Sequence, residues 1–271
     1  MTTKTLHFTK SYLKTTALAL ILLTAFNCSS NDDNSETSNL NQQNKECKIA
    51  KITYGFSSGN RIYTATYTGN NIAQLTSNVD KVVFTYNSNN QLIKKEIYNL
   101  SNNQIIFKSE FTPNSNGQII EQRNWDLYNG NLTYTGKETY QYSGNRLIEI
   151  LDYNVNNTTI DDKTVLEWTG ENPTKLKLYD ENNTLECETA IFYDLVTENK
   201  FNSTFKYFMF QDIFDEDFNT YLFLGKNNVK STTNSCSTNT LNYNISNTLE
   251  NLTNEIKQGN NSLYKFEYSC Q

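Results

Sequence analysis

The fold is decided by a short stretch, Tyr67-Thr-Gly-Asn-Asn-Ile-Ala-Gln-Leu75, which recurs in degenerate form along the chain. An aromatic residue ends one strand, glycine and asparagine follow, and alternating apolar and polar residues begin the next strand. Glycine and asparagine adopt a positive φ at little cost, as a tight hairpin between right-twisted strands requires. The stretch therefore predicts a β-hairpin.

Further copies of this unit predict that hairpins follow one another along the chain. They begin at Tyr86, Phe111, Tyr142, Trp168 and, more weakly, Tyr243. The spacing varies from 19 residues, between Tyr67 and Tyr86, to 31 residues, between Phe111 and Tyr142, so loop lengths differ while the hairpin persists. We predict an all-β fold, an antiparallel meander of repeated hairpins that forms a large twisted sheet.

The segment 192–219 interrupts the repeat and is rich in phenylalanine. Phe201, Phe205 and Phe208 have the i, i+4, i+7 spacing of one helix face. We predict a short irregular or helical aromatic insert that plugs the open face or end of the sheet. The alternative is an exposed patch for a partner.

The hairpin units resemble YD (RHS-like) repeats, especially the degenerate versions in Bacteroidota surface lipoproteins of uncharacterised function. The resemblance covers roughly 52–179, resumes near Tyr221 and closes at 264–270. It implies a long antiparallel sheet, and it carries no catalytic residue to this chain.

The first 27 residues have the three-part organisation of a signal peptide. Lys4, Lys10 and Lys14 form a positive region without acids, and an apolar stretch over 15–26 follows. At about 12 residues this stretch is too short for a helix that crosses a bilayer core of about 30 Å. The sequence therefore predicts export.

The stretch Thr24-Ala-Phe-Asn-Cys28 resembles the lipobox of bacterial lipoproteins, although Asn27 stands where glycine or alanine is commonest. The resemblance implies that 1–27 is removed and that Cys28 is lipidated. The protein would then be anchored in the outer membrane, facing either the periplasm or the cell surface. An ordinary secretory signal beside a cysteine is the alternative.

The residues after Cys28 are mostly Asn, Ser, Asp, Gln and Glu, and Leu40 is the only large apolar residue before Cys47. Such a segment cannot bury enough surface to offset the entropy of ordering it. We predict a disordered acidic and polar tether over 28–46 and a single β-repeat domain over 47–271.

Composition excludes several kinds of chemistry. The one histidine, His7, lies in the predicted signal peptide, so the mature chain lacks the base of Ser-His-Asp and Cys-His sites and a common zinc ligand. Loss of three lysines from 23 basic residues leaves 20 against 29 acidic ones, a net charge near −9. This charge argues against nucleic acid as a partner. We expect no cofactor and identify no catalytic residue.

Four cysteines remain besides Cys28: Cys47, Cys187, Cys236 and Cys270. An even number in an exported protein is compatible with two disulfides, for which three pairings exist. A staple at the domain margins is plausible because Cys47 begins the first predicted strand and Cys270 ends the last. Free buried thiols and metal binding are the alternatives.

Two features are candidate ligand sites. Trp125 and Trp168 could stack on sugar rings, but aromatic residues at one position of each hairpin are also what cross-strand ladders need.

Asp215, Asp217 and Asn219 have the spacing of the first calcium-loop ligands. Thr220 and Lys226 occupy positions where that loop requires Gly and Glu, which favours a solvated acidic loop.

The sequence favours a non-enzymatic exported lipoprotein, a β-repeat scaffold for binding or adhesion at the cell envelope. Its partners would be the membrane, through Cys28, and a glycan or another envelope protein. The alternative is a carbohydrate-binding accessory protein of a glycan-uptake system. A hydrolase ranks third, because it needs two carboxylates at one cleft and the strand acids are scattered: Glu96, Glu121, Glu149 and Glu167.

Overall fold

The computed structural model describes residues 47–56, 59–199, 224–237, 240–248 and 252–270. This part of the chain forms 16 antiparallel strands: β1 (Cys47–Phe56), β2 (Gly59–Thr68), β3 (Asn71–Thr76), β4 (Asp80–Tyr86), β5 (Leu92–Asn99), β6 (Gln104–Pro113), β7 (Ile119–Tyr128), β8 (Asn131–Ser143), β9 (Arg146–Tyr153), β10 (Ile160–Thr169), β11 (Asn172–Tyr179), β12 (Leu185–Glu198), β13 (Asn227–Asn234), β14 (Thr240–Asn247), β15 (Thr253–Gln258) and β16 (Asn261–Cys270). The predicted all-β meander is confirmed. Within these residues no helix is both long enough and apolar enough to cross a membrane.

The sheet closes on itself, because β1 pairs with β16 as well as with β2. The closing register places Cys47 opposite Cys270 and Tyr54 opposite Tyr264. The prediction of an open-edged twisted sheet was therefore wrong. Right-handed twist accumulates over many strands, and closure removes the two edges that would otherwise expose unpaired N–H and C=O groups.

The four cysteines form two disulfides, Cys47–Cys270 and Cys187–Cys236. The first joins the two strands that close the barrel and links the margins of the domain, as the sequence suggested. The second ties β12 to the turn that follows β13. Both bonds connect segments that are distant in sequence, at separations of 223 and 49 residues.

Side chains alternate between the two sides of the barrel wall. One set is buried and mostly apolar, and it includes Ile52, Tyr63, Leu75, Leu147 and Ile256, all fully buried. The intervening residues are partly or fully exposed and largely polar. Because successive residues of a strand point to opposite faces, the barrel has a mainly apolar interior and a polar exterior.

The aromatic residue of most repeats bonds to the neighbouring strand. Tyr142 on β8 donates its hydroxyl to the carbonyl of Ile119 on β7 at 3.0 Å. A bulge adjoins this carbonyl, since Thr112 pairs with Glu121 and Pro113 with Ile119, which leaves Ile120 without an opposite residue. The hydroxyl thus bonds a carbonyl at a point where the ladder is irregular.

We call the residues that make this bond the aromatic rungs. Their side chains donate to the carbonyls of Ile49, Ile72, Ile119, Leu147, Pro173 and Thr253, respectively: Tyr67, Tyr86, Tyr142, Trp168, Tyr193 and Tyr268. Pro113 occupies the corresponding position of β6, paired with Ile119 after the bulge, and its side chain has no donor. The repeat seen in the sequence therefore corresponds to a recurring hydrogen bond between an aromatic side chain and the backbone of the neighbouring strand.

The first residues of the predicted aromatic insert belong to the barrel wall. Phe192 to Glu198 belongs to β12, and Tyr193 in this stretch is an aromatic rung, so the start of 192–219 continues the repeat. The register with β13 pairs Phe192 with Ser231 and Tyr193 with Val229, which holds the segment in the sheet. The rest of the predicted insert, from residue 200 onward, lies outside the described residues.

Replacing Tyr142 with Phe removes one rung bond and leaves the ring in place. We expect the free energy of unfolding to fall by about 1–3 kcal/mol, the usual effect of leaving a buried carbonyl without its partner. Urea unfolding of the mature protein measures this change. Tyr128→Phe, at an exposed tyrosine, is the control and should change stability by less than about 0.5 kcal/mol. Equal effects of the two substitutions would refute the role of the rungs.

Replacing Cys47 and Cys270 together with Ala opens the covalent link across the closing pair of strands. We expect stability to fall by about 2–5 kcal/mol, because the bond restricts a very long loop in the unfolded chain. The loop closed by Cys187 and Cys236 is shorter, so its loss should cost roughly 1 kcal/mol less in the same chain-entropy model. Thermal unfolding of both double variants compares them, and a larger loss for the second would contradict the expectation.

Candidate functional site

The antiparallel meander gives the barrel two distinct ends. Cys47 and Cys270 lie at the terminal end, together with the turns that follow the even-numbered strands. The turns that follow the odd-numbered strands form the distal end. The chain therefore enters and leaves the barrel at one end and presents its other set of turns at the opposite one.

A cavity of about 260 Å³ lies inside the wall toward the distal end. We call it the distal cavity. It is lined from β2, β4, β5, β6 and β7 by Arg61, Tyr63, Asp80, Val82, Ile97, Ile106, Phe107 and Asp126. Four of these residues are polar or charged, and the other four are apolar. The cavity thus combines an apolar floor with convergent polar groups, which is how small-molecule sites are built.

One side of the distal cavity is a bonded polar network. The guanidinium of Arg61 donates to Asp80 Oδ2 at 3.0 Å, and the Tyr63 hydroxyl donates to the same oxygen at 3.2 Å. The Ser77 hydroxyl donates to Asp80 Oδ1 at 2.6 Å. Burial is the main cause that raises the pKa of Tyr63, so its hydroxyl keeps its proton at neutral pH. These hydrogen bonds hold the three polar side chains in fixed positions at the cavity wall.

Asp126 lines the distal cavity from β7, three strands along the wall from Asp80 on β4. The residue reaches solvent, but partial desolvation of its carboxyl group raises its pKa, against the lowering effects of a hydrogen bond from Thr135 and of the charge of Lys95. Lys95 itself is completely buried, and its ammonium lies 4.9 Å from the centroid of the Phe107 ring. A positive charge is thus built into the wall beneath the cavity floor.

Deeper in the barrel, the inward faces of β8, β9 and β10 carry an acidic row. Glu138 pairs in register with Asp152, and Asp152 pairs with Asp162. The buried Tyr140 hydroxyl lies 2.8 Å from Glu138 Oε2. Burial, followed by repulsion from Asp162 and Asp161, raises the pKa of Asp152 to about 7. Asp152 therefore titrates near neutral pH inside the barrel.

The outer face carries a belt of charged pairs. Lys94 lies 3.0 Å from Glu96, Lys108 lies 2.9 Å from Glu110, and Arg123 lies 2.8 Å from Glu121. On the other side of the barrel the same pattern continues with Lys175–Glu188, Lys177–Glu167, Lys257–Glu255 and Lys51–Glu267. These exposed pairs contribute little stability individually, but together they make the outer surface strongly hydrophilic.

The distal turns also expose apolar side chains. They are Val79, Leu100, Tyr128, Val155 and Leu185, at or beside successive turns from β3–β4 to β11–β12. Single exposed apolar residues are common on proteins. Here they recur at the end where the distal cavity lies, which makes this end less polar than the belt around the wall.

The structure does not bring the two candidate tryptophans together. Trp125 lies on the outer face, with Lys108 Nζ 3.7 Å from its ring centroid and Tyr134 packed edge-on at 5.3 Å. Trp168 faces inward as an aromatic rung, and its indole N–H donates to Leu147. The scattered acids Glu96, Glu121 and Glu167 lie on the outer face beside basic residues, as expected for a solvated sheet face.

Other predicted site residues lie outside the described residues: Cys28, Asp215, Asp217 and Asn219. Among the residues that the structure does describe, no group of three His, Cys, Asp or Glu side chains could hold a metal ion. The calcium site stays a sequence-based prediction.

The sequence reasoning missed the charged residues of the interior. Lys95 lies in Leu92-Ile-Lys-Lys-Glu-Ile97, where a period of two from Ile97 places it on the apolar face of the strand. A similar count from Tyr63 places Arg61 inside, and one from Val82 places Asp80 inside. A charged residue at an inward position of an amphipathic strand was the signal in the sequence that could have identified these interior charges.

Replacing Asp152 with Asn tests the titration inside the barrel. The folded-state pKa near 7 exceeds the ordinary value of 3.8, so the folded protein keeps a proton that the unfolded chain loses as pH rises. Native stability should therefore fall between pH 4 and 7, and Asp152→Asn should remove that loss. We expect the variant to exceed the native protein by about 2–4 kcal/mol at pH 8 and by much less at pH 4.

Unfolding curves at both pH values check this expectation. Glu149→Gln, on the outer face of the same strand, is the matched control and should show no such pH dependence. A stability difference between Asp152→Asn and the native protein that stays constant from pH 4 to pH 8 would contradict the assignment.

Comparison with known proteins finds likeness in fold only. No protein-family model and no curated protein matches the chain. Among solved structures, a porin-like protein from Bacteroides uniformis is 10% identical, with a TM-score of 0.52 over 82% of this chain and 98% of that one. A porin-like protein from Bacteroides vulgatus is 11% identical over 82% and 97% of the two chains, with a TM-score of 0.39. The first likeness shows that this chain shares the β-barrel fold of a porin-like protein.

Proposed function

We propose that the chain is a non-enzymatic lipoprotein of the bacterial outer membrane, held there by lipid on Cys28, whose barrel is a scaffold that binds a ligand at its distal end. The strands of the barrel do not cross the lipid in this proposal. The observation that carries it is the charged belt on the outer face.

A membrane-spanning barrel needs an apolar outer band about 25 Å tall and commonly has a polar interior. This barrel has the opposite arrangement. Lys94, Glu110, Arg123 and Lys137 follow one another in register across β5, β6, β7 and β8 on the outside of the wall. A single Lys or Arg at the bilayer midplane costs roughly 2–4 kcal/mol. The charges on the outer face therefore support the proposal that water, not lipid, surrounds the barrel.

The position of the termini supports anchoring from one end. The predicted tether over 28–46 joins β1 at Cys47, which lies at the terminal end. Lipid on Cys28 would hold that end toward the membrane, and two or more acyl chains make such an anchor stable. The distal cavity and the apolar residues around it would then point away from the membrane, where a ligand or partner has access.

Sequence composition supports a binding role over catalysis. The chain beyond residue 27 contains no histidine, and Glu96, Glu121 and Glu167 on the outer face are engaged with lysine or arginine. The resemblance of the repeats to those of Bacteroidota surface lipoproteins points the same way. The alternative is a carbohydrate-binding accessory protein. In that case Trp125 alone would contact the sugar from the outer face, because the ring of Trp168 lies on the other side of the wall.

The test separates the lipid anchor from the barrel. In a host that processes lipoproteins, residues 1–28 are replaced with a secretory signal that an ordinary signal peptidase removes. We expect the native protein in the membrane fraction, labelled by palmitate, and the altered protein in the soluble periplasmic fraction without detergent, because its outer face is hydrophilic.

The control replaces 1–27 with another lipoprotein signal and keeps Cys28, and it should stay in the membrane. Detergent-dependent membrane association of the protein that lacks Cys28 would refute the proposal.

A further inference from the structure

We infer that the distal cavity binds a small organic amine, with the ammonium group at Asp126 and the apolar body of the ligand on the floor formed by Ile97, Ile106 and Phe107. The inference rests on the proposed binding function of the distal end and names its ligand class. It follows from the charges and shape of the cavity.

The cavity contains two carboxylates in different states. Asp80 forms an ion pair with Arg61 at 3.0 Å and also accepts hydrogen bonds from Tyr63 and Ser77. Asp126 makes no ion pair in the part of the chain that the structure describes. Its carboxyl group accepts a hydrogen bond from Thr135, and the charge of Lys95, buried beside Phe107, also favours its charged form. A carboxylate that lines a cavity without an ion-pair partner is stabilised when a cation binds beside it.

The partial desolvation of Asp126 agrees with this geometry. Its position in the wall disfavours its charged form, and an ammonium group in the cavity would offset that penalty. The ammonium group of Lys95 offsets part of the negative charge of Asp126. However, Lys95 is fully buried beside Phe107, so it does not occupy the space in which a ligand would bind.

Arg61 sets the orientation of the ligand. Its guanidinium lies next to Tyr63 and Asp80, and Arg61 lines the cavity from β2, five strands along the wall from Asp126 on β7. A second positive charge on that side would be repelled, while a hydroxyl or other uncharged polar group would be accepted. The ligand should therefore carry a single cationic end at Asp126 and an uncharged or polar opposite end.

The floor and the volume limit the body of the ligand. Val82, Ile97, Ile106 and Phe107 line the cavity from β4, β5 and β6, the strands between Arg61 on β2 and Asp126 on β7. Burial of apolar atoms on such a surface supplies most of the binding free energy of a small ligand. The volume of about 260 Å³ lies below the range of roughly 300–1,000 Å³ that is typical for drug-sized ligands. A cavity of this size would accommodate a compact aliphatic or aromatic amine.

The test titrates the purified full-length lipoprotein in detergent micelles with butylamine, cyclohexylamine and 2-phenylethylamine, with the heat of mixing into micelles alone subtracted. Each amine is compared with the alcohol and the carboxylate of the same carbon skeleton. We expect saturable binding of at least one amine and at least about tenfold weaker binding of its alcohol, as the loss of a charge-assisted hydrogen bond implies. The matching carboxylate should not bind.

Asp126→Asn preserves the shape of the side chain and should weaken amine binding by about tenfold or more. The matched control is Asp161→Asn, which removes an exposed carboxylate that does not line the cavity. This control should keep the native affinity.

Absence of saturable binding by all three amines would overturn the inference, as would equal binding of an alcohol or carboxylate, or native affinity in Asp126→Asn. The proposed anchoring is tested separately by the fractionation of the protein that lacks Cys28, so failure of one experiment leaves the other result standing.

Discussion

The pairing of β1 with β16 is the constraint on which the rest of the structure depends. It converts a meander with two exposed edges into a closed wall, and closure gives every strand one face toward a shared interior. Buried isoleucine, leucine, tyrosine and phenylalanine then fill that interior, while lysine and glutamate alternate on the outside. The disulfide Cys47–Cys270 joins the same two strands at the terminal end.

The aromatic rungs and the bulges beside them form a second level of organisation. A bulge bends its strand and increases the local twist, and here several recur near the terminal end, each next to a carbonyl that an aromatic side chain bonds. Repetition of this unit curves the wall progressively, which brings the first and last strands together. The degenerate repeat therefore has a structural meaning: it preserves the residues that curve and lock each hairpin, and it leaves loop lengths free.

The sequence was sufficient for the hairpins, their turns and the all-β class, because these depend on local patterns such as Tyr67-Thr-Gly-Asn70. It was not sufficient for closure, since β1 and β16 look like any other strand and their pairing joins residues more than 200 positions apart. Cysteine count suggested disulfides but could not select among three pairings. The charged interior was missed because Lys94, Lys95 and Glu96 form a charged run that resembles a solvated face, although the period of two from Ile97 places Lys95 alone inward.

Charged side chains inside the barrel are concentrated on one side of it. Burying ionised groups costs free energy unless they are paired, and Lys95, Glu138 and Asp152 all lie on inward positions between β5 and β9. Residues that break the pattern of a stable core are often those that serve a function. This connects the acidic row and the distal cavity to the proposed binding role rather than to stability.

The central claim is that water, not lipid, surrounds the wall of the barrel. The most direct measurement places a spin label on the outer face through Arg123→Cys, in the lipidated protein within native membranes, and compares relaxation by oxygen, which concentrates in lipid, with relaxation by a water-soluble nickel complex. The account predicts strong relaxation by the nickel complex and weak relaxation by oxygen. The reverse result would contradict it.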